Sequence, residues 1–132
     1  MTITYHLDRD QRIVFTQLRD TVTDADIERF VVDVWARLNG AVFDELVDAR
    51  AVAQITVTSR GMQQNAEIST RLNPTLTPYR VAIVAPRDVV YGVGRMYEAY
   101  RERTPGAVQV FRTMEEALAW LRPAPEATRT VG

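Results

Sequence analysis

Short apolar segments with a two-residue period alternate along this chain with longer segments whose apolar residues recur every three to four positions, and that alternation leaves few folds open. Ile3, Tyr5 and Leu7 interleave with Thr2, Thr4 and His6 as a strand does. Asp8-Arg9-Asp10-Gln11 reads as a polar turn, and Ile13, Val14, Phe15 and Leu18 continue as a second strand, so residues 2–18 are expected to form a β-hairpin. Thr23-Asp24-Ala25-Asp26 opens a helix with a capping hydroxyl and acids in the first turn. Ile27, Phe30, Val31, Val34, Trp35 and Leu38 follow at helical spacing, and Asn39-Gly40 closes that helix. Phe43 to Val47 is expected as a short buried strand ending at Asp48. Residues 49–58 are ambiguous, because Ile55-Thr56-Val57 has β character but also suits an extended loop.

The second half repeats the alternation. Ser59 is expected to cap a second helix that carries Met62, Ala66, Ser69 and Leu72 and stops before Pro74. Tyr79 to Ala85 is a β segment ending at Pro86. Asp88 is expected to cap a third helix with Val89, Val93, Met96, Tyr97 and Tyr100 on one face. After Pro105-Gly106 comes a last strand, Val108 to Phe111, and Thr113-Met114-Glu115-Glu116 is a capping box for a helix that turns Ala117, Leu118 and Leu121 inward. The order β-β-α-β-α-β-α-β-α implies an α/β fold with a mixed five-stranded sheet and four helices, mainly parallel, with right-handed crossovers and an antiparallel edge strand from the hairpin. Residues 1–122 are expected to form one domain, followed by a flexible tail over 123–132 that carries two prolines and no periodicity.

Composition decides which chemistries such a fold can host. All 16 basic residues are Arg, Cys is absent, and His6 is the one histidine. A thiol nucleophile, a Cys-ligated zinc, a two-His metal site, a Schiff-base lysine and a P-loop are therefore excluded, and no cofactor or metal is expected. A net charge of −1, spread with only a mild excess of acid in the first half, does not suggest a nucleic-acid surface. No apolar run is long enough to span a bilayer, and residues 1–6 lack the pattern of a signal peptide, so a cytoplasmic protein without integral membrane association is expected.

A few residues stand out against this background. Asp48 lies at an expected strand end, the edge where α/β proteins bind ligands, and invites comparison with the phosphoacceptor of receiver domains. Receivers need a lysine after the last strand, which this chain lacks. Gly92-Val93-Gly94 falls inside a helix and lacks the third glycine of a dinucleotide loop, so close packing is the expected reason for it. Tyr91 and Arg95 share a helix side at i, i+4 spacing and are candidates for an interface, with a homodimer as one outcome. A pocket between helices and sheet would be lined by Phe30, Val34, Met62, Met96 and Tyr100 and would suit a small hydrophobic ligand or lipid.

The element order, the segment Glu45-Leu-Val-Asp-Ala-Arg50, the run Val81 to Pro86 with Tyr91 to Ala99, and the closing Val110 to Leu121 together resemble the SpoIIAA-like, STAS-related family of small bacterial proteins. The resemblance covers nearly all of residues 2–122. It implies a mixed sheet with helices packed against it and a non-enzymatic regulatory or protein-interaction role. Relatives include anti-sigma factor antagonists, which bind a partner kinase and are switched by serine phosphorylation, and lipid-binding domains of the CRAL-TRIO type share the broader fold. The antagonists' switch, an Asp-Ser-Ser-Gly-like stretch at the start of the second helix, corresponds here to Val57-Thr58-Ser59-Arg60-Gly61-Met62. Thr58, Ser59 and Gly61 fit that pattern, while the Asp is missing and Arg60 is inserted before the glycine. The resemblance therefore marks Ser59 and Thr58 as candidate phospho-switch residues, and residues 57–61 with the outer side of the helix at 88–103 as the candidate partner surface.

Overall fold

The computed structural model describes residues 2–122, so the expected tail at 123–132 lies outside the described residues. The element order is β1 (Ile3–Asp8), β2 (Ile13–Val22), α1 (Asp24–Leu38), β3 (Asp44–Ile55), α2 (Ser59–Arg71), β4 (Tyr79–Val84), α3 (Asp88–Arg101), β5 (Gly106–Phe111) and α4 (Met114–Leu121). This is the α/β order expected from the sequence. The five strands lie side by side in chain order, β1 antiparallel to β2 and every later neighbour parallel. Right-handed crossovers between adjacent parallel strands put their helices on one face of a sheet. Accordingly α1, α2 and α3 cover one face, and α4 turns back to cover the other through Ala117 and Leu121 packed on Ile13, Leu46 and Val84.

Strand phase follows from this layering. Val14, Thr16 and Leu18 of β2, Glu45, Val47 and Ala49 of β3, and Tyr79, Val81 and Ile83 of β4 alternate onto the three-helix face. Leu46 and Ala82 point to the α4 side. Residues 49–55 belong to β3, not to a loop. The strand continues to Ile55 because β2 runs on to Val22 and supplies a ladder partner, across two register shifts between Gln17 and Thr21. Asp48 is thus mid-strand rather than at the strand's end, although pairing with β4 does stop there, at Asp48 opposite Val84.

Two caps also differ from expectation. Thr58, not Ser59, caps α2, its side chain accepting from the Gly61 amide at 3.0 Å, and Ser59 is the first helical residue. Asp88 does not cap α3: Arg87 holds that position without a side-chain cap bond, and Asp88 pairs with Arg112 at 2.7 Å instead. Thr23 and Thr113 cap α1 and α4 as expected.

On α3 the buried stripe is Val90, Gly94 and Arg101 with Tyr97 beside them, a spacing of four, three and four residues. Gly94 sets this phase. A Cβ on it would stand 2.8 Å from a methyl of Val110, so the helix seats its backbone directly on β5. That rotation leaves Met96 and Tyr100 47% and 37% exposed, and neither reaches the core. Gly92, by contrast, has nothing within 4 Å of where a Cβ would stand, so only the second glycine of the pair serves packing.

Candidate functional site

Between α1, α2, α3 and the sheet the fold leaves a cavity of about 130 Å³. Its walls are largely apolar, with Val34, Met62, Val81 and Ile83 among them. One end is different. Glu45 of β3, Tyr79 of β4, Tyr97 and Arg101 of α3, and Asn65 and Ser69 of α2 converge there, near the N-terminal ends of the strands.

The chain assembles this end from residues on buried phases. Glu45 shares its strand face with Val47 and Ala49, and Arg101 continues the buried stripe of α3. The residue Arg101 is only 4% exposed. Its guanidinium donates to the hydroxyls of Tyr97 and Tyr79, and its Nε donates to Thr104 Oγ1 at 3.0 Å. It also lies over both tyrosine rings, 5.3 Å and 5.8 Å from their centroids. The Tyr97 hydroxyl in turn donates a hydrogen bond to Asn65 Oδ1. Gly106 makes the room, since a Cβ there would stand 2.2 Å from a guanidinium nitrogen and 2.6 Å from the Tyr79 ring.

Glu45 accepts from Thr16 Oγ1 at 2.9 Å. The residue is part-buried and lines the cavity. Burial disfavours the charged form and pushes its pKa up to about 7, outweighing the Thr16 hydrogen bond and the attraction of Arg101. Burial likewise raises Tyr97 to about 12 and raises Tyr79, so both phenols stay neutral at physiological pH. Among the described residues Arg101 forms no ion pair. A guanidinium cannot shed its proton in a protein, so the polar end carries a fixed buried cation held by neutral hydroxyls and facing a titratable carboxyl.

The residues singled out from sequence fall in three other places. Thr58 and Gly61 stand at the opposite end of the cavity, where α1 and α2 begin. There Asp24 accepts from the Thr58 amide at 2.9 Å and from its hydroxyl at 2.6 Å, and lies where a Cβ on Gly61 would go. Ser59 is exposed beside them. Asp48 is on the α4 side of the sheet, where burial would raise its pKa but hydrogen bonds from the Arg50 side chain and backbone hold it below the usual carboxylate range. Tyr91 and Arg95 do not share an open face. Tyr91 packs against the core with the Arg112 guanidinium 3.9 Å from its ring centroid, while Arg95 is exposed and 3.5 Å from Glu98. Of the pocket residues expected from sequence, Phe30, Val34 and Met62 line the cavity, and Met96 and Tyr100 do not.

The Thr58 cap has a measurable consequence. Thr58→Ala removes a hydroxyl that both caps α2 and donates to Asp24, and is expected to cost about 1–2 kcal/mol in urea unfolding. Ser59→Ala is expected to stay within about 0.5 kcal/mol of the parent. The reverse ranking would place the cap on Ser59.

The sequence matches no protein-family model and no curated protein. Solved structures do match. An uncharacterised protein of the DUF3478 family with a SpoIIAA-like fold, from Shewanella loihica PV-4, aligns at TM-score 0.57 with 20% identity over 90% of this chain and 93% of that one. The anti-sigma factor antagonist SpoIIAA in its unphosphorylated form aligns at TM-score 0.57 with 12% identity over 92% of this chain and 98% of that one. The chain thus has a SpoIIAA-like fold, the one its sequence resembles.

Proposed function

We propose that this protein is a non-enzymatic regulatory module that binds a small, mostly apolar molecule in the cavity between α1–α3 and the sheet. One observation carries the reading: the cavity has apolar walls and, at one end, a buried charged and hydroxyl-rich cluster that a filled core would have no need of. Buried polar groups are costly unless they are satisfied, and here they are gathered around a space rather than packed shut.

The test is ligand occupancy. Native mass spectrometry of freshly purified protein is expected to show a small bound molecule in addition to the bare chain. Hexanol at saturating concentration is expected to raise the thermal midpoint, since a ligand at a hundred times its Kd stabilises by about 2.7 kcal/mol. A bare mass together with an unmoved midpoint would remove the reading.

A second reading concerns a protein partner. The fold is shared with an anti-sigma factor antagonist, and the outer side of α3 exposes Val89 at 68% with Met96 and Tyr100. In this reading residues 57–61 and that side of α3 form the contact surface, and phosphorylation of Ser59 or Thr58 regulates it. A phosphate on Thr58 would remove the α2 cap and face the carboxylate of Asp24, whereas Ser59 is free of that conflict, so Ser59 is the better acceptor. Copurification from the native cytosol, compared between the parent and Ser59→Glu, tests it. An identical partner set would count against a switch.

A further inference from the structure

We propose that the cavity's ligand is a small monocarboxylate, an apolar body of about five or six carbons whose carboxylate rests on Arg101 beside Glu45. This rests on the cavity being a binding site and names the class of molecule that fits it.

Three observations set the class. The first is size. An engineered apolar cavity of about 150 Å³ takes benzene, so about 130 Å³ holds one ring or a short chain and not a long acyl tail. The second is charge. Arg101 is buried, permanently cationic and, among the described residues, partnered only by the hydroxyls of Tyr97, Tyr79 and Thr104. Three of its five N–H groups are so engaged. Glu45 gives up its charge on burial and forms no ion pair with Arg101, so a ligand carboxylate supplies the close counter-ion. A cationic ligand would meet Arg101 as a like charge, and a phosphate dianion would need a second cation, whereas among the described residues Arg101 is the one basic side chain lining the cavity. The third is the opposing carboxyl. Glu45 with its proton is a donor, so together with the guanidinium it offers hydrogen bonds to both oxygens of a carboxylate.

Binding then takes up one proton wherever Glu45 is ionised beforehand. The groups that act on Glu45 are Thr16 from β2, Tyr79 from β4 and Tyr97 and Arg101 from α3, while Asn65 and Ser69 of α2 and Val34, Trp35 and Leu38 of α1 line the same cavity. Glu45 is the one member of that set whose charge changes between pH 6 and pH 8.

Calorimetric titration with hexanoate and with hexanol, at pH 6 and pH 8, tests this. Hexanoate is expected to bind at least tenfold more tightly than hexanol at pH 6, and to lose most of that advantage by pH 8 with proton uptake from the buffer. Arg101→Met is expected to bring hexanoate down to the level of hexanol. Glu45→Gln, which keeps the acceptor for Thr16, is expected to retain the preference and flatten its pH dependence, so the outcome is decided even if Arg101→Met fails to fold. Equal binding of hexanol and hexanoate by the parent at pH 6, or a preference untouched in Arg101→Met, would overturn the carboxylate assignment and leave the cavity reading standing. Binding of neither compound would overturn both.

Discussion

At pH 8 the Glu45→Gln protein is expected to unfold at higher urea than the parent, by about 3 kcal/mol, and at pH 4.5 the two are expected to coincide. The figure comes from a carboxyl raised from 4.5 to about 7 by burial, at about 1.4 kcal/mol for each tenfold change in its ionisation equilibrium. The sign follows from which state holds the proton. Between those two values the unfolded chain has lost the Glu45 proton and the folded chain still keeps it, so stability falls as pH rises through that window. Below it Glu45 is neutral in both states and its contribution is fully present. Above about 7 the loss is complete and the curve flattens. Asp8, Asp26 and Asp48 act in the opposite sense, each held below the usual carboxylate range, and their stabilisation disappears only in more acidic solution. The parent is therefore expected to peak near pH 4.5 to 5, and Glu45→Gln to stay level from there to pH 8. Parallel curves for the two proteins would place the Glu45 carboxyl in contact with bulk water.

The second large effect is a contrast between two glycines. Gly106→Ala puts a methyl where the Arg101 guanidinium and the Tyr79 ring already stand, at 2.2 Å and 2.6 Å. Neither can give way without breaking the hydrogen bond between them, so the substitution is expected to cost about 1–3 kcal/mol and to weaken binding of any ligand held at that end. Gly92→Ala places the same methyl on α3 with nothing within 4 Å, and is expected to stabilise by about 0.5–1 kcal/mol through helix propensity alone. Urea unfolding of the two variants beside the parent checks both signs.

The order of elements was legible because each strand is short and apolar and each helix carries a single apolar stripe. The errors have identifiable physical causes. The second half of β3 pairs with β2 alone and exposes Arg50, Ala51, Ala53 and Gln54, so its periodicity is too weak to distinguish strand from loop. Thr58 and Ser59 are adjacent hydroxyls, Ser being the better cap by type, and the choice of Thr58 is made by Asp24, 34 residues away. Helical spacing puts Met96 and Tyr100 on the apolar face of α3, but the contact that orients the helix is made by the smallest residue in it, Gly94.

The polar end of the cavity was overlooked for a related reason. Charged residues are almost never fully buried, so by type neither Glu45 nor Arg101 points inward. Their positions nonetheless carried the signal: Glu45 is in phase with Val47 and Ala49, and Arg101 with Val90, Gly94 and Tyr97. A carboxyl and a guanidinium that both fall on inward phases of elements facing one another are a reason to look for a site, and no sequence motif is needed to find them.

The account turns on whether the space between the three helices and the sheet takes up a small molecule. An NMR titration of the labelled protein with hexanol answers this most directly. The account predicts saturable shifts in the methyl groups of Val34, Met62 and Ile83, which line the cavity from α1, α2 and β4, with Leu121 on the far side of the sheet unmoved. Shifts confined to Val89 and Met96 on the outer side of α3, or none that saturate, would contradict it.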